Sequence, residues 1–185
     1  MNNLEGLRLT EILPPVEGLT IPDFEYLQNT EGLSPGQFEG LSLEERHTLM
    51  QTLESKLALI QGRPAVPVTL SLTPGENGHY DPQTRSITLN AEALMGRDLF
   101  SNIDTIAHEG RHAYQHYAIE HPGFHPNPSE VHNWAVNFAA NNYRPAELYG
   151  GWLYRLQPIE ADAFKYGNLV KEAMQFGASY PVRAV

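Results

Sequence analysis

The sequence predicts an α+β fold, mostly helical, with a short antiparallel sheet placed just before the longest helix. Three observations predict it. Apolar residues recur with helical spacing in stretches opening near Ser42, Asp98, Ser129 and Pro158. Two alternating, β-branched stretches, "VPVTLSL" and "RSITLN", lie between the first and second of these. Turn chemistry, "TPGENG", separates the two strands.

Residues 1–40 are dense in Gly and Pro, as in "LPPVEGLTIPDF" and "EGLSPGQFEG". Proline at this density interrupts helices and sheet interiors, so this part reads as an extended arm or linker with anchors at Ile21, Phe24 and Leu27. Residues 41–185 then form one folded domain. Its first helix, "SLEERHTLMQTLESKLALIQG", opens on a Ser42/Glu45 capping-box pattern and carries the stripe Leu49, Leu53, Leu57 and Ile60 up to a stop at Gly62. After the two strands, expected to pair antiparallel, a long helix over 98–119 buries Leu99, Ile103, Ile106, Ala113 and Tyr117. "HPGFHPNP" breaks the chain, "SEVHNWAVNFAANN" is a helix with Ser129 as its N-cap, and "YRPAELYGGWLYRLQ" is irregular. The last helix starts at "PIEADAF", with Pro158 in the first turn, where a missing N–H costs nothing.

Composition narrows the function. A net charge of −10 disfavours nucleic acid and anionic membranes as partners. The chain has no cysteine, which excludes disulfides and thiolate metal sites. No apolar run is long enough to span a bilayer, and "MNNLEGLRLT" lacks the features of a cleavable signal peptide.

The chemistry concentrates in "DTIAHEGRHAYQHY". On a helix, His108 and His112 stand one turn apart and can turn both imidazoles to one ion. Glu109 lies about 100° further round. It misses that direction but reaches a water at the ion's open position. His-Glu-x-x-His therefore reads as two zinc ligands and a general base. His116 shares the face but lies about 12 Å of helix rise from His108, too far for one ion to hold all three. It reads as a surface residue or one behind the ligands. The metzincin position for a third His is Ala118, so that pattern fails. Candidates for the third ligand are His121, His125, Glu130, His132, Glu147 and Glu160. Glu160 is best placed, in the first turn of a well-formed helix, although an acid there also complements the helix N-terminus without any metal.

"IDTIAHEGRHAYQHY", "NWAVNFAANNY" and "YRLQPIEADAFKYG", with the preceding "GHYDPQTRSITLN", resemble the zincin metallopeptidase domains at the C-termini of bacterial polymorphic toxins and secretion-system effectors. The resemblance spans about residues 60–170. It implies a small zincin-like fold, one zinc per chain held by His108, His112 and Glu160, and Glu109 as base. In thermolysin-like enzymes an Asp four residues after the ligand Glu orients a ligand His. Here that place is Phe164, and Asp162 falls on the far side of a regular helix. Asp104, one turn before His108, is the alternative orienter, with helix N-terminal charge as its other reading. Tyr154 is the favoured oxyanion donor, ahead of Tyr166, His132 and Arg155.

The expected activity is zinc-dependent hydrolysis of peptide bonds in a protein or peptide substrate. The substrate strand would pair with a sheet edge near residues 78–80 or 85–89. Competing expectations are a zinc amidase on peptidoglycan peptide and a non-catalytic module with a structural metal, which would need a fourth ligand such as His125 or His132. The resemblance further implies an upstream delivery domain, a cognate immunity protein, and delivery into target cells by a secretion system from the producer's cytoplasm.

Overall fold

The computed structural model describes residues 20–139 and 142–176. Its elements are α1 (Ile21–Gln28), α2 (Pro35–Glu39), α3 (Leu43–Ile60), β1 (Val68–Ser71), β2 (Gly78–Asp81), β3 (Ser86–Asn90), α4 (Ala91–Gly96), α5 (Leu99–Glu120), α6 (Pro128–Phe138), α7 (Ala146–Tyr149), α8 (Gly151–Arg155) and α9 (Pro158–Phe176). The architecture is α+β and mostly helical, with one small three-stranded sheet among the described residues. None of the described helices is long and apolar enough to cross a membrane.

The expected extended arm takes a different form. Its first nineteen residues lie outside the described ones, but α1 and α2 fill much of the remainder. Proline starts both helices in their first turn and does not interrupt them. Phe24, Leu27 and Phe38 are buried in the main core, while the side chain of Ile21 lies outside the described set. The α3 capping box forms in both directions: Ser42 N–H donates to Glu45 Oε2 at 2.8 Å, and Glu45 N–H donates to Ser42 Oγ at 3.3 Å. Leu49, Leu53 and Leu57 are buried as their spacing requires.

The sheet departs from the expected pairing. Strand order is β1-β3-β2, and β1 runs parallel to β3, with Val68 opposite Ile87. The antiparallel partner of β3 is the intervening β2, with Gly78 opposite Leu89. The stretch "GHYDPQTRSITLN" is thus a hairpin. Its turn is closed by the Asp81 carboxylate, which accepts from Gln83 N–H at 2.8 Å and Thr84 Oγ1 at 2.9 Å, and Arg85 takes the left-handed conformation at φ 52°. Consequently β3 is central and cannot serve as an edge, whereas β2 can.

Helix α5 runs through the middle of the molecule and packs on α3, α6, α9 and the sheet. Asp98 caps it, accepting from Ser101 N–H at 2.9 Å. Leu99, Ile103 and Ile106 join the main core; Tyr114 and Ala118 join a second cluster with Trp134 and Ile159. Asn127, not Ser129, caps α6; its Oδ1 accepts from Ser129 N–H at 3.1 Å. The stretch expected to be irregular holds two short helices, α7 and α8, broken at Gly150, whose φ of 80° suits a residue without a side chain.

Gly167 sets the closest approach of α9 to α5. A Cβ there would sit 2.8 Å from Asp104 Oδ1, 3.1 Å from Asp104 O and 3.4 Å from His108 Cβ. The two helices are antiparallel at this crossing, so the first turn of α9 comes to lie over His108 and His112.

Candidate metal centre

His108 and His112 on α5 are buried, and their Nε2 atoms lie 3.2 Å apart. From α9, Glu160 closes the triangle: Oε2 is 3.3 Å from His108 Nε2, and Oε1 is 3.6 Å from His112 Nε2. Zinc bonds to N and O of about 2.0–2.1 Å give a tetrahedral ligand–ligand edge of about 3.3 Å. The three edges lie near that length. Glu160 is 1% exposed, and its Oε2 accepts no hydrogen bond from the described residues. A buried carboxylate oxygen without a donor is costly unless a cation satisfies it. The donor set therefore fits a zinc ion.

Two carboxylates border the histidines. Glu160 makes the contacts above, and a Glu109 oxygen lies within 4.8 Å of both imidazoles, so His108, Glu109 and His112 also form a buried group able to hold an ion. Glu109 is buried at the cleft wall, one helix position from His108, and so stands beside the triangle without closing it.

Electrostatics follow from burial around one carboxylate. Burial alone would push the Glu160 carboxyl up, but the imidazoles of His108 and His112 beside it hold it well below the usual range. Burial likewise opposes charge on His112, yet Glu160, Glu109 and Gln115 push its imidazole up to about 9. Tyr143 and Tyr154 are both raised, first by burial and then by the Glu160 charge.

The orientation of His112 comes from a residue that the spacing argument passed over. Gln115, fully buried, accepts from His112 Nδ1 at 2.9 Å, which turns Nε2 toward His108 and Glu160. Gln115 Nε2 donates to Ile159 O at 2.9 Å and Asp162 Oδ2 at 2.6 Å. Asp162 is gripped in turn by Arg111, through Nε at 2.8 Å and Nη2 at 2.9 Å. Asp162 thus faces α5, against the expectation of its lying on the far side, and it acts through Gln115. The i,i+3 spacing of His112 and Gln115 is the signal that was available in the sequence.

The other candidates are placed as follows. Asp104 lines the cleft, but its carboxylate accepts from Lys171 Nζ at 3.4 Å; among the described residues no bond to His108 replaces that one. Phe164 packs against the His108 ring with centroids 4.5 Å apart. Tyr154 lines the cleft, its ring edge-on to Tyr143 at 6.3 Å and to Phe164 at 6.0 Å between centroids. Tyr143, unremarked in the sequence, donates to Glu160 Oε1 at 3.1 Å. Tyr166 is buried beneath the site and His132 is exposed on α6, so neither lines the cleft. Arg155 lines it and stacks over Phe164 at 4.4 Å. His116 meets Tyr80 Oη at 3.0 Å through Nδ1. His125 bonds Tyr114 and Glu130, and His121 stacks on Tyr117; none of these reaches the triangle. The side chain of Glu147 lies outside the described set.

The triangle opens into a cleft of about 760 Å³, walled by α5, the β2 edge, the segment from Tyr143 to Arg155, and α9. Gly78 lets β2 lie close: a Cβ there would be 3.0 Å from Leu89 Cδ2 and from Thr105 Cγ2. Asn90 N–H donates to Asn77 O at 2.9 Å, so residues 77, 79 and 81 point their backbone groups at β3. Gly78 and Tyr80 therefore direct theirs outward.

Comparisons with protein families, with curated proteins and with solved structures find no match.

Proposed function

We propose that this protein is a zinc-dependent metallopeptidase of zincin-like type. The observation that carries the reading is the His108–His112–Glu160 triangle, open on one side to a cleft that Glu109 also lines. Three protein ligands with an open side is the arrangement of catalytic zinc, whereas structural zinc is closed by four. A bound zinc supplies a Lewis acid that makes water nucleophilic near neutral pH and polarises a carbonyl.

The chain's own residues do the rest. His108, His112 and Glu160 hold the ion, and Gln115 keeps the His112 Nδ1 proton engaged. Glu109 takes a proton from the attacking water and passes it to the leaving amine. Tyr154, on the opposite wall, is the hydroxyl donor available to the charge that develops on the carbonyl oxygen. The outward backbone groups of Gly78 and Tyr80 offer an extended peptide a strand to pair with, which favours a polypeptide substrate. The sequence resemblance extends the proposal to an effector domain delivered by a secretion system.

Glu109→Gln tests this directly. The variant should bind one zinc per chain as before and lose peptide hydrolysis by at least ~10²-fold. Full activity in the zinc-loaded variant would exclude Glu109 as the base.

A further inference from the structure

The outer side of α7 and α8 has an unusual surface. Leu148 is 78% exposed, Tyr149 50%, Trp152 75%, Leu153 42%, Leu156 57%, and Val136 on neighbouring α6 48%. With fully open areas of roughly 160–250 Å² per residue, these fractions leave about 700 Å² of apolar residues facing solvent. The largest apolar patch on a typical monomer is about 300–600 Å², and a stable interface takes about 800 Å² from each partner. The area reaches what a dimer needs once rim atoms are added.

The face also has matching relief. Trp152 is a large exposed knob. Leu156 N–H donates to Trp152 O at 3.2 Å, so the two side chains stand about one turn apart. Beside Leu156 runs a groove of about 470 Å³, lined by Val136, Arg144, Leu153 and Leu156 together with polar neighbours. Knob and groove on one face satisfy the condition for a two-fold contact, in which residue i of each copy meets residue j of the other. The groove wall supplies Arg144, whose guanidinium already lies 5.9 Å from the Tyr149 ring and can stack on an indole.

We propose that the α7–α8 face is a homodimer interface, in which each copy seats its Trp152 in the groove beside Leu156 of the other. The interface does not depend on the metal chemistry, but it bears on the cleft. Tyr154 and Arg155 of the same short helix line the cleft, so pairing holds that wall in place. The net charge of −10 on each copy opposes association, and salt should strengthen it by screening.

Sedimentation velocity on the full chain, from roughly 1 to 100 µM, tests the proposal. The expected result is a species of twice 20.7 kDa that dissociates on dilution and is favoured by added salt. Trp152→Asp and Leu156→Glu should each weaken self-association by roughly 30-fold or more. Both side chains are exposed, so melting temperature and zinc content should stay unchanged. Mixing the two variants should restore part of the dimer, because the intact Trp152 of one meets the intact groove of the other. A 20.7 kDa species at every concentration overturns the proposal and leaves the face to a different protein. Dimers that persist in both variants overturn it equally.

Discussion

Replacing Gln115 by Leu should weaken zinc binding although Gln115 touches no metal. The side chain is fully buried and makes three bonds: Oε1 to His112 Nδ1 at 2.9 Å, and Nε2 to Ile159 O at 2.9 Å and Asp162 Oδ2 at 2.6 Å. Leucine fills similar volume, so the perturbation is the loss of polar partners with little new cavity. His112 Nδ1–H is left buried without an acceptor, and the ring loses the contact that fixes its tautomer and angle. Removing such an outer partner typically costs 10–100-fold in metal affinity, or about 1.4–2.8 kcal/mol. The folded protein should lose a further ~1–3 kcal/mol because His112 Nδ1–H becomes unsatisfied. Asp162 suffers less, since Arg111 still holds both of its oxygens. The assay is zinc competition against a chromophoric chelator, with a thermal melt of the metal-free form as control. Gln115→Glu gives the contrast. It keeps an acceptor for His112 but sets a second carboxylate against Asp162, so it should lower stability more than zinc affinity. Unchanged zinc affinity in a folded Gln115→Leu protein would refute the orienting role.

Further outcomes follow from the same geometry. Glu160→Ala should leave two imidazoles and abolish stoichiometric zinc, while substitutions at His121, His125, Glu130 and His132 should leave zinc content intact by elemental analysis; retention of zinc in Glu160→Ala would remove it from the ligand set. Gly167→Ala brings a methyl to 2.8 Å from Asp104 Oδ1 and 3.1 Å from its backbone O. It should push α9 off α5, lowering stability by ~1–3 kcal/mol in a denaturant titration and weakening zinc binding as Glu160 retreats; wild-type values for both would show that the crossing has slack. In the metal-free protein His112 is pushed up to about 9, so at pH 7 it carries a proton that zinc must displace. Zinc loading at pH 7 should release about one proton from this ring, and apparent affinity should rise with pH until about 9; calorimetry in buffers of different ionisation heat that shows no release would contradict this.

Within single helices much was legible, although the cap of α6 falls at Asn127 and not at Ser129. The capping box of α3 and the one-turn spacing of His108 and His112 depend on residues three or four apart, and such contacts are set by helix geometry alone. That Glu109 stands beside the two histidines, not between them, follows from the same period. Glu160 was already the best-placed acid on its helix start, but no local pattern could bring it 3.3 Å from His108. That distance depends on α9 lying against α5 at Gly167, a contact between helices far apart in the chain. The same dependence hid Tyr143, which reaches Glu160 from an irregular segment, and it hid the turn of Asp162 toward Gln115. In residues 20–40 proline density suggested an arm because it forbids long helices; whether two short ones form is decided by a core that can bury Phe24, Leu27 and Phe38. Strand alternation likewise told which residues extend, not which neighbour each strand takes. The parallel pairing of β1 with β3, and with it the free edge of β2 over the cleft, goes with the hairpin turn at Asp81 and Arg85, which makes β2 the antiparallel neighbour of β3, and with the packing of the sheet on α5. Spacing encodes what one turn of chain can reach, and the remainder waits on which surfaces the whole chain buries together.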